Sequence, residues 1–269
     1  MAATQTHLRP TTPRTRTKRR PQAWPLRFYS TAVGKKWVMA ITGIVGLGFV
    51  LVHMIGNLKL FISREEVNLY GEALRDLGGH LVPQTSLLWI LRMVLLGAIV
   101  LHVHAAVTLT AMNRRARPTA YQSPRSYVAA SFASRTMRWT GIIVFLYLLF
   151  HLADLTWGFA NPDFVRGDPY NNVIASMERL PVALIYVIAN VALCIHIAHG
   201  TWSLFQSLGW NNPRYNGARV WLARGLAAVI LVGNLTFPVA VQLGLVEQAC
   251  PGSDPTAECD DGSGLAGSD

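Results

Sequence analysis

Charged residues are scarce in this chain. Only 14% of the 269 residues are Asp, Glu, Lys or Arg, whereas 51% are hydrophobic, and a typical soluble domain has about 25% charged residues. This shortage excludes an ordinary soluble domain. Five long apolar runs take the place of the missing charge, and each suffices for the ~20 residues with which a helix crosses a ~30 Å hydrocarbon core. The runs cover approximately residues 37–62, 87–112, 139–158, 181–206 and 221–246.

The arrangement of these runs predicts an all-α membrane protein with a bundle of five transmembrane helices. The bundle occupies residues 31–246. Residues 1–30 are rich in Thr, Pro and Arg and lack an apolar core, so we expect a basic, disordered tail. Residues 247–269 are acidic and rich in Gly and Ser, and we expect a second flexible tail there.

Acidic residues are also few, with 14 Asp and Glu against 24 Lys and Arg, which gives a net charge of +10. The basic residues concentrate before the first run and in the connection 113–138, whereas the other run ends carry acids. The positive-inside rule therefore predicts a cytoplasmic N-terminus and, with five spans, a C-terminus outside. The basic residues lie at span ends and form no groove interleaved with aromatics, which favours anionic lipid over nucleic acid as their partner.

Cysteine is rare as well, with three residues in all. Cys250 and Cys259 lie in the polar tail that is predicted to be outside, where a disulfide between them can form. Cys194 lies alone inside the fourth run and is interpreted as a small packing residue.

Histidine, by contrast, is unexpectedly frequent inside the apolar runs. Polar groups in hydrocarbon are costly and therefore indicate a function. With a rise of about 1.5 Å per residue, their depths fall into an outer layer, from the first and third runs, and an inner layer, from the second and fourth. The outer layer holds His53 and His151, and the inner layer holds His102, His104, His196 and His199.

A b-type haem is held by two imidazoles from facing helices, so two layers predict two haems b stacked across the membrane. His102 and His104 are about 200° apart around a helix, so only one of them can face a shared centre. His196 and His199 are about 60° apart and can both point inward. Asp154 follows His151 at i+3 on the same helix face, which makes it a candidate proton carrier or partner of the imidazole.

Several ordered motifs resemble those of the five-helix cytochrome b anchor subunit of succinate dehydrogenase and fumarate reductase. The resemblance covers about residues 30–246. The motifs are HMIGNLKLF at 53–61, LHVHAA at 101–106, NRRARP at 113–118, SRTMRWTG at 134–141, FHLAD at 150–154, HIAHG at 196–200 and SLFQSLG at 203–209.

This resemblance implies a multi-pass subunit of an enzyme complex in a bacterial plasma membrane. A flavoprotein and an iron–sulfur subunit would dock on the cytoplasmic face, and electrons from succinate would pass through iron centres to a quinone. The chain has no flavin or nucleotide motif, so we expect the succinate-oxidising site to lie in the other subunits.

The resemblance also assigns iron ligands. The family's outer haem is held from helices one and three, which corresponds to His53 and His151, and its inner haem from helices two and four, where His102 and His199 stand. His104 and His196 are additional donors, and His196 stays a candidate ligand. These extra donors leave open a histidine-ligated iron–sulfur cluster in the inner layer.

Two places could bind the quinone. The inner one lies near Ser134, Arg135 and Trp139, and the outer one near Asp154, Trp157 and Glu66. Quinone reduction needs proton donors at both ring oxygens, which both places supply. We favour the inner place, because it receives electrons directly from the iron–sulfur subunit.

Two other functions remain open at this level. The chain could anchor a different dehydrogenase, or it could be a proton-coupled transporter that uses the histidines and Asp154 as a relay. We expect no internal repeat and no helix-breaking Gly/Pro pair at midspan in corresponding halves, which weighs against the transporter. The sequence leaves open the quinone type, the direction of catalysis and whether the complex forms a homo-oligomer.

The charge asymmetry predicts that the connection 113–138 faces the cytoplasm. A Ser123→Cys variant should therefore react with a membrane-impermeant thiol reagent in inverted vesicles and not in intact cells. Labelling only from outside would overturn the predicted orientation.

Overall fold

The computed structural model describes residues 23–116 and 132–249. Regular structure in these residues is entirely helical, which confirms the predicted all-α fold. The helices are α1 Trp24–Tyr29, α2 Ala32–Asn57, α3 Arg64–Arg75, α4 Ser86–Arg115, α5 Phe132–Leu155, α6 Pro169–Glu178, α7 Leu180–Ser207 and α8 Asn216–Gln242. Within the described ranges, the five predicted spans are confirmed as the five helices long and apolar enough to cross a membrane, namely α2, α4, α5, α7 and α8.

All five spanning helices begin before their apolar runs, and the first and the fifth differ from the prediction by several residues. The first was predicted at residues 37–62, but α2 starts at Ala32, because the Thr31 side chain caps the helix by accepting a hydrogen bond from the Gly34 N–H at 2.9 Å. The fifth was predicted at residues 221–246, but α8 ends at Gln242, just before Gly244 adopts a positive φ of 66°. Hydropathy marks the part of a helix that lies in lipid, whereas capping residues and glycines decide where these helices begin and end.

Helix α7 is the centre of the bundle, since it packs against α2, α5 and α8. Helix α4 packs on α2 at one side, and α5 lies on the other side of α7. Apolar side chains cover the outward faces of these helices and remain exposed, as in helices that face lipid. In the four-helix group α2, α4, α5 and α7, α2 packs on α4 and α7, and α5 packs on α7. We call the pairs α2/α5 and α4/α7, which do not pack directly on each other, diagonal.

The two ends of the bundle differ. We call the end that carries α1 and the arginines at the end of α4 the basic end, and the opposite end, which carries α3 and α6, the cap end. Which end faces the cytoplasm stays a prediction.

Helices α3 and α6 were not predicted from the sequence. Both begin at capping side chains: Ser63 accepts from the Glu66 N–H at 3.2 Å, and Asp168 accepts from the Asn171 N–H at 3.4 Å. Asp168 also pairs with Arg64 at 2.7 Å, and this partly buried salt bridge joins the two helices. Together they form a polar cap over that end of the bundle.

Asp154 connects three helices beneath this cap. Its side chain is fully buried and accepts hydrogen bonds from Arg179 at 2.7 Å, from Tyr186 at 2.9 Å and from Ser176. These donors lie on α6, on α7 and at the junction between them, whereas Asp154 lies on α5. A buried carboxylate with three donors therefore fixes how these helices meet.

Helix α1 lies against the basic end of α2 and α4. The Tyr29 hydroxyl bonds His104 Nδ1 at 2.6 Å, and the Lys35 ammonium lies 4.1 Å from the centre of the Tyr29 ring. Helix α1 falls within residues 1–30, which the sequence assigned to a tail. After α8, Ala249 exchanges two hydrogen bonds with the Asn171 side chain on α6, so the segment from α8 to residue 249 reaches the cap.

Some predictions concern parts of the chain outside the described residues. These are the disulfide between Cys250 and Cys259 and the orientation of Ser123. They stay predictions.

Close approach of α1 to α2 requires glycine at position 34. A Cβ there would overlap the backbone carbonyl of Phe28. Gly34→Ala should therefore displace α1, lower the free energy of unfolding by about 1–3 kcal/mol, and speed tryptic cleavage after Arg27. The control is Gly48→Ala on the same helix, where no atom lies within 4 Å of the added methyl. Equal melting temperatures and cleavage rates for the two variants would contradict this packing.

The Asp154 network should contribute strongly to stability. Asp154→Ala leaves Arg179 without its carboxylate, and we expect a loss of about 3 kcal/mol, because Arg179 is partly exposed and can turn to water. The control is Glu66→Ala, which breaks the more exposed pair with Lys59 and should cost under about 1 kcal/mol. Thermal unfolding of the detergent-solubilised protein measures the loss of stability in both variants. Similar losses for the two variants would contradict the predicted role of the Asp154 network.

Candidate functional site

The two histidines of the predicted outer layer face each other near the cap end. His53 on α2 and His151 on α5 have ring centres 5.9 Å apart, with the ring planes nearly perpendicular at 87°. The His53 ring also stacks on Phe49, one turn earlier, at 5.3 Å. We call these two residues the cap-side pair.

A second pair lies nearer the basic end. His102 on α4 and His196 on α7 have ring centres 6.4 Å apart and planes inclined at 61°. His102 Nδ1 lies 3.0 Å from the Thr42 hydroxyl on α2, and His196 Nδ1 lies 3.5 Å from the Thr140 hydroxyl on α5. We call His102 and His196 the basic-side pair.

The other two intramembrane histidines occupy different positions. His104 is exposed on the opposite side of α4 from His102 and bonds Tyr29, as a separation of about 200° around the helix requires. His199 lies about one turn from His196 on α7, toward the basic end, and is half-buried. The ring that faces His102 is therefore that of His196, whereas the family resemblance pointed to His199.

His151 is linked to the buried carboxylate through a tyrosine. The Tyr186 hydroxyl gives its single hydrogen to Asp154 Oδ2 at 2.9 Å. Its oxygen lies 3.3 Å from His151 Nδ1 and so accepts a hydrogen bond from that ring nitrogen. Asp154 thus acts on His151 through Tyr186, a contact that the i+3 spacing alone did not reveal.

The residues considered for quinone binding, as far as the structure describes their side chains, differ in their surroundings. Trp139 on α5 is 70% exposed, and Trp157 beyond α5 is 52% exposed. Glu66 pairs with Lys59 at 2.5 Å, apart from the partners of Asp154. The structure describes the backbone of Ser134 and Arg135 in α5 and not their side chains.

The donor set fits a haem iron better than a metal ion bound by protein alone. Within residues 23–116 and 132–249, no three or more His, Cys, Asp or Glu side chains are grouped so that they could hold a metal ion. A b-type haem needs two imidazoles only. With a metal–nitrogen bond of about 2 Å, two imidazoles on opposite sides of one ion have ring centres about 6 Å apart, close to the separation in both pairs. The two pairs therefore fit this cofactor.

Signals for the helices of the cap were present in the sequence. Ser63 and Glu66 form the S-x-x-E pattern of a capping box, and Asp168 precedes Pro169, as at many helix starts. Ser176, Arg179 and Tyr186 carried no comparable signal, because their role depends on where α6 and α7 meet α5.

Comparison with known proteins supports the resemblance seen in the motifs. Residues 112–232, from the end of α4 through most of α8, match the family model described as succinate dehydrogenase/fumarate reductase transmembrane subunit. No curated protein and no solved structure matches the chain. Over residues 112–232, the chain is similar to the succinate dehydrogenase/fumarate reductase transmembrane subunits.

Proposed function

We propose that this chain is the membrane-anchor and electron-transfer subunit of a bacterial succinate dehydrogenase. It holds two haems b between its helices and passes electrons from an iron–sulfur subunit to a quinone. The observation that carries the proposal is the presence of two diagonal histidine pairs, with separations of 5.9 and 6.4 Å, in a chain whose sequence matches this family. A haem in each pair would supply a one-electron carrier inside the membrane.

His53 and His151 are the proposed ligands at the cap side, and His102 is the proposed ligand from α4 at the basic side. Gly43 faces His102, and His53 lies ten residues further along α2. Ten residues of helix correspond to about 15 Å. The two pairs therefore lie about half a hydrocarbon core apart, which suits stepwise electron transfer across the membrane.

The basic end is the proposed docking face for the flavoprotein and iron–sulfur subunits. The positive-inside rule places this end in the cytoplasm. Three tryptophans at this end are strongly exposed, as expected of a partner surface: Trp24, Trp210 and Trp221 are 75%, 63% and 77% exposed. Electrons would enter there and meet the basic-side pair first.

The proposed quinone site is the inner one, near Ser134, Arg135 and Trp139. The exposed Trp139 side chain lies next to Thr140, which contacts His196, so a quinone beside it would be close to the basic-side pair. Asp154 is less suited to quinone chemistry, because it is fully buried and all its bonds go to the protein. Its support of His151 through Tyr186 favours a positioning role.

Spectroscopy of the intact complex tests the proposal. An affinity tag on this chain should co-purify a flavoprotein and an iron–sulfur protein, and the complex should contain two haems b with reducible Soret and α bands. His151→Ala should remove one haem, because it deletes one of the two ligands of the cap-side pair. His104→Ala is the control, since His104 points away from both pairs, and it should retain both haems.

His102→Ala should remove the other haem and abolish quinone reduction. Succinate oxidation with a soluble acceptor should survive, because that chemistry belongs to the partner subunits. A complex without haem, or full haem content in His151→Ala, would refute the haem assignment. Co-purification with a dehydrogenase that lacks flavin would point to the alternative of an anchor for a different enzyme.

A further inference from the structure

Helices α2 and α5 share a short sequence repeat, which corrects the expectation that the chain contains no internal repeat. Both contain M-x-x-T-G, and a histidine follows ten residues after the glycine: Met39, Thr42, Gly43 and His53 on α2, and Met137, Thr140, Gly141 and His151 on α5. The histidines that end the two patterns form the cap-side pair. The M-x-x-T-G segments lie at the level of the basic-side pair.

The first segment holds His102. The Thr42 hydroxyl lies 2.6 Å from the carbonyl of Val38, to which it can donate its hydrogen, and its oxygen can then accept from His102 Nδ1 at 3.0 Å. The missing side chain of Gly43 leaves room for the ring, because a Cβ there would lie 3.6 Å from His102 Cε1. Threonine and glycine together form a cradle for one edge of the imidazole.

The second segment holds His196 in the same manner. The Thr140 hydroxyl can share its one hydrogen between the carbonyls of Thr136 and Met137, at 3.2 and 3.1 Å, and its oxygen can then accept from His196 Nδ1 at 3.5 Å. A Cβ on Gly141 would lie 3.4 Å from His196 Cε1. The same three contacts thus recur on a different helix pair.

Both cradles lead to the same protonation state. With each threonine oxygen as the acceptor, the ring hydrogen lies on Nδ1 and the Nε2 lone pair is free for a metal. A ligating histidine typically donates its other ring N–H to a fixed acceptor, which sets the ring orientation and raises its basicity. His199 lies one turn beyond His196 and is followed by Gly200. A Cβ on Gly200 would lie 3.7 Å from the Met137 side chain, so this glycine faces a methionine and not a histidine ring.

We infer that Thr42 with Gly43 and Thr140 with Gly141 are two equivalent cradles that position His102 and His196 as the ligand pair of one haem. Thr42 and Thr140 are positioning residues, and His196, rather than His199, is the partner of His102. The inference rests on the proposed function, and it adds the residues that orient the ligands and select one histidine of α7.

The experiment compares valine and serine at both threonines in the purified complex. Valine keeps the shape of threonine and removes the acceptor, whereas serine restores it. Thr42→Val and Thr140→Val should each speed the loss of the basic-side haem to a haem-scavenging protein by about 10- to 100-fold. Each should also shift the low-spin EPR signal of that haem, and Thr42→Ser and Thr140→Ser should return both readouts to normal. The signal of the cap-side haem should not change.

The matched control is Thr236→Val on α8. Thr236 bonds the carbonyl of Gly233 at 2.6 Å, as the cradle threonines bond their own helices, but it lies on a helix without histidine. This variant should leave both haems unchanged. A companion pair tests the choice of ligand: His196→Ala should lose the basic-side haem and His199→Ala should keep it.

Two results would overturn the inference while leaving the proposed function intact. One is that both threonine-to-valine variants behave like Thr236→Val in a complex that holds two haems. The other is that His199→Ala, and not His196→Ala, removes the haem. A wild-type complex without haem would overturn the proposed haem function and this inference together.

Discussion

A polar side chain inside a lipid bilayer has no water to bind, so its partner must come from the protein itself. This constraint accounts for the positions of the polar groups in the bundle. The histidines of the basic-side pair bond threonines, and His151 bonds a tyrosine. Asp154 is surrounded by three donors. The hydrogen bonds that satisfy these groups also hold neighbouring helices at fixed rotations. They therefore fix the geometry of the histidine pairs as well.

The helices contribute differently to the two histidine pairs. Helices α2 and α5 each contribute one histidine to the cap-side pair and one cradle to the basic side, whereas α4 and α7 contribute the cradled histidines. Helix α8 has no histidine and packs against α7 through small residues such as Ala223 and Ala227. Diagonal pairing across four helices leaves the space between the rings inside the bundle, where imidazoles from opposite helices can converge.

The two ends of the bundle follow different physical designs. At the cap end, salt bridges and helix caps close the structure over a core that includes Ile174, Met177 and Phe237. At the basic end, the short helix α1 and exposed tryptophans leave a surface rich in arginine and aromatic groups. Such a surface suits docking of a protein partner, since Trp and Arg contribute much of the binding energy in interfaces.

The sequence by itself determined the number of spans, the all-helical fold and the grouping of the histidines into two depths. These features are local: a helix in lipid needs a run of apolar residues, and a constant rise per residue converts position into depth. The sequence also determined that His102 and His104 point to opposite sides, because the angle per residue in a helix is fixed.

Only the tertiary structure decided which histidine of α7 faces His102. His196 and His199 lie on neighbouring parts of one helix face, and the choice depends on how α7 is rotated against α4 and α5, which no local pattern specifies. The same holds for Asp154, whose donors come from α6, from α7 and from Arg179 between them. Spacing along α5 could place its carboxylate near His151, but the tyrosine that joins them belongs to another helix and is brought there by packing.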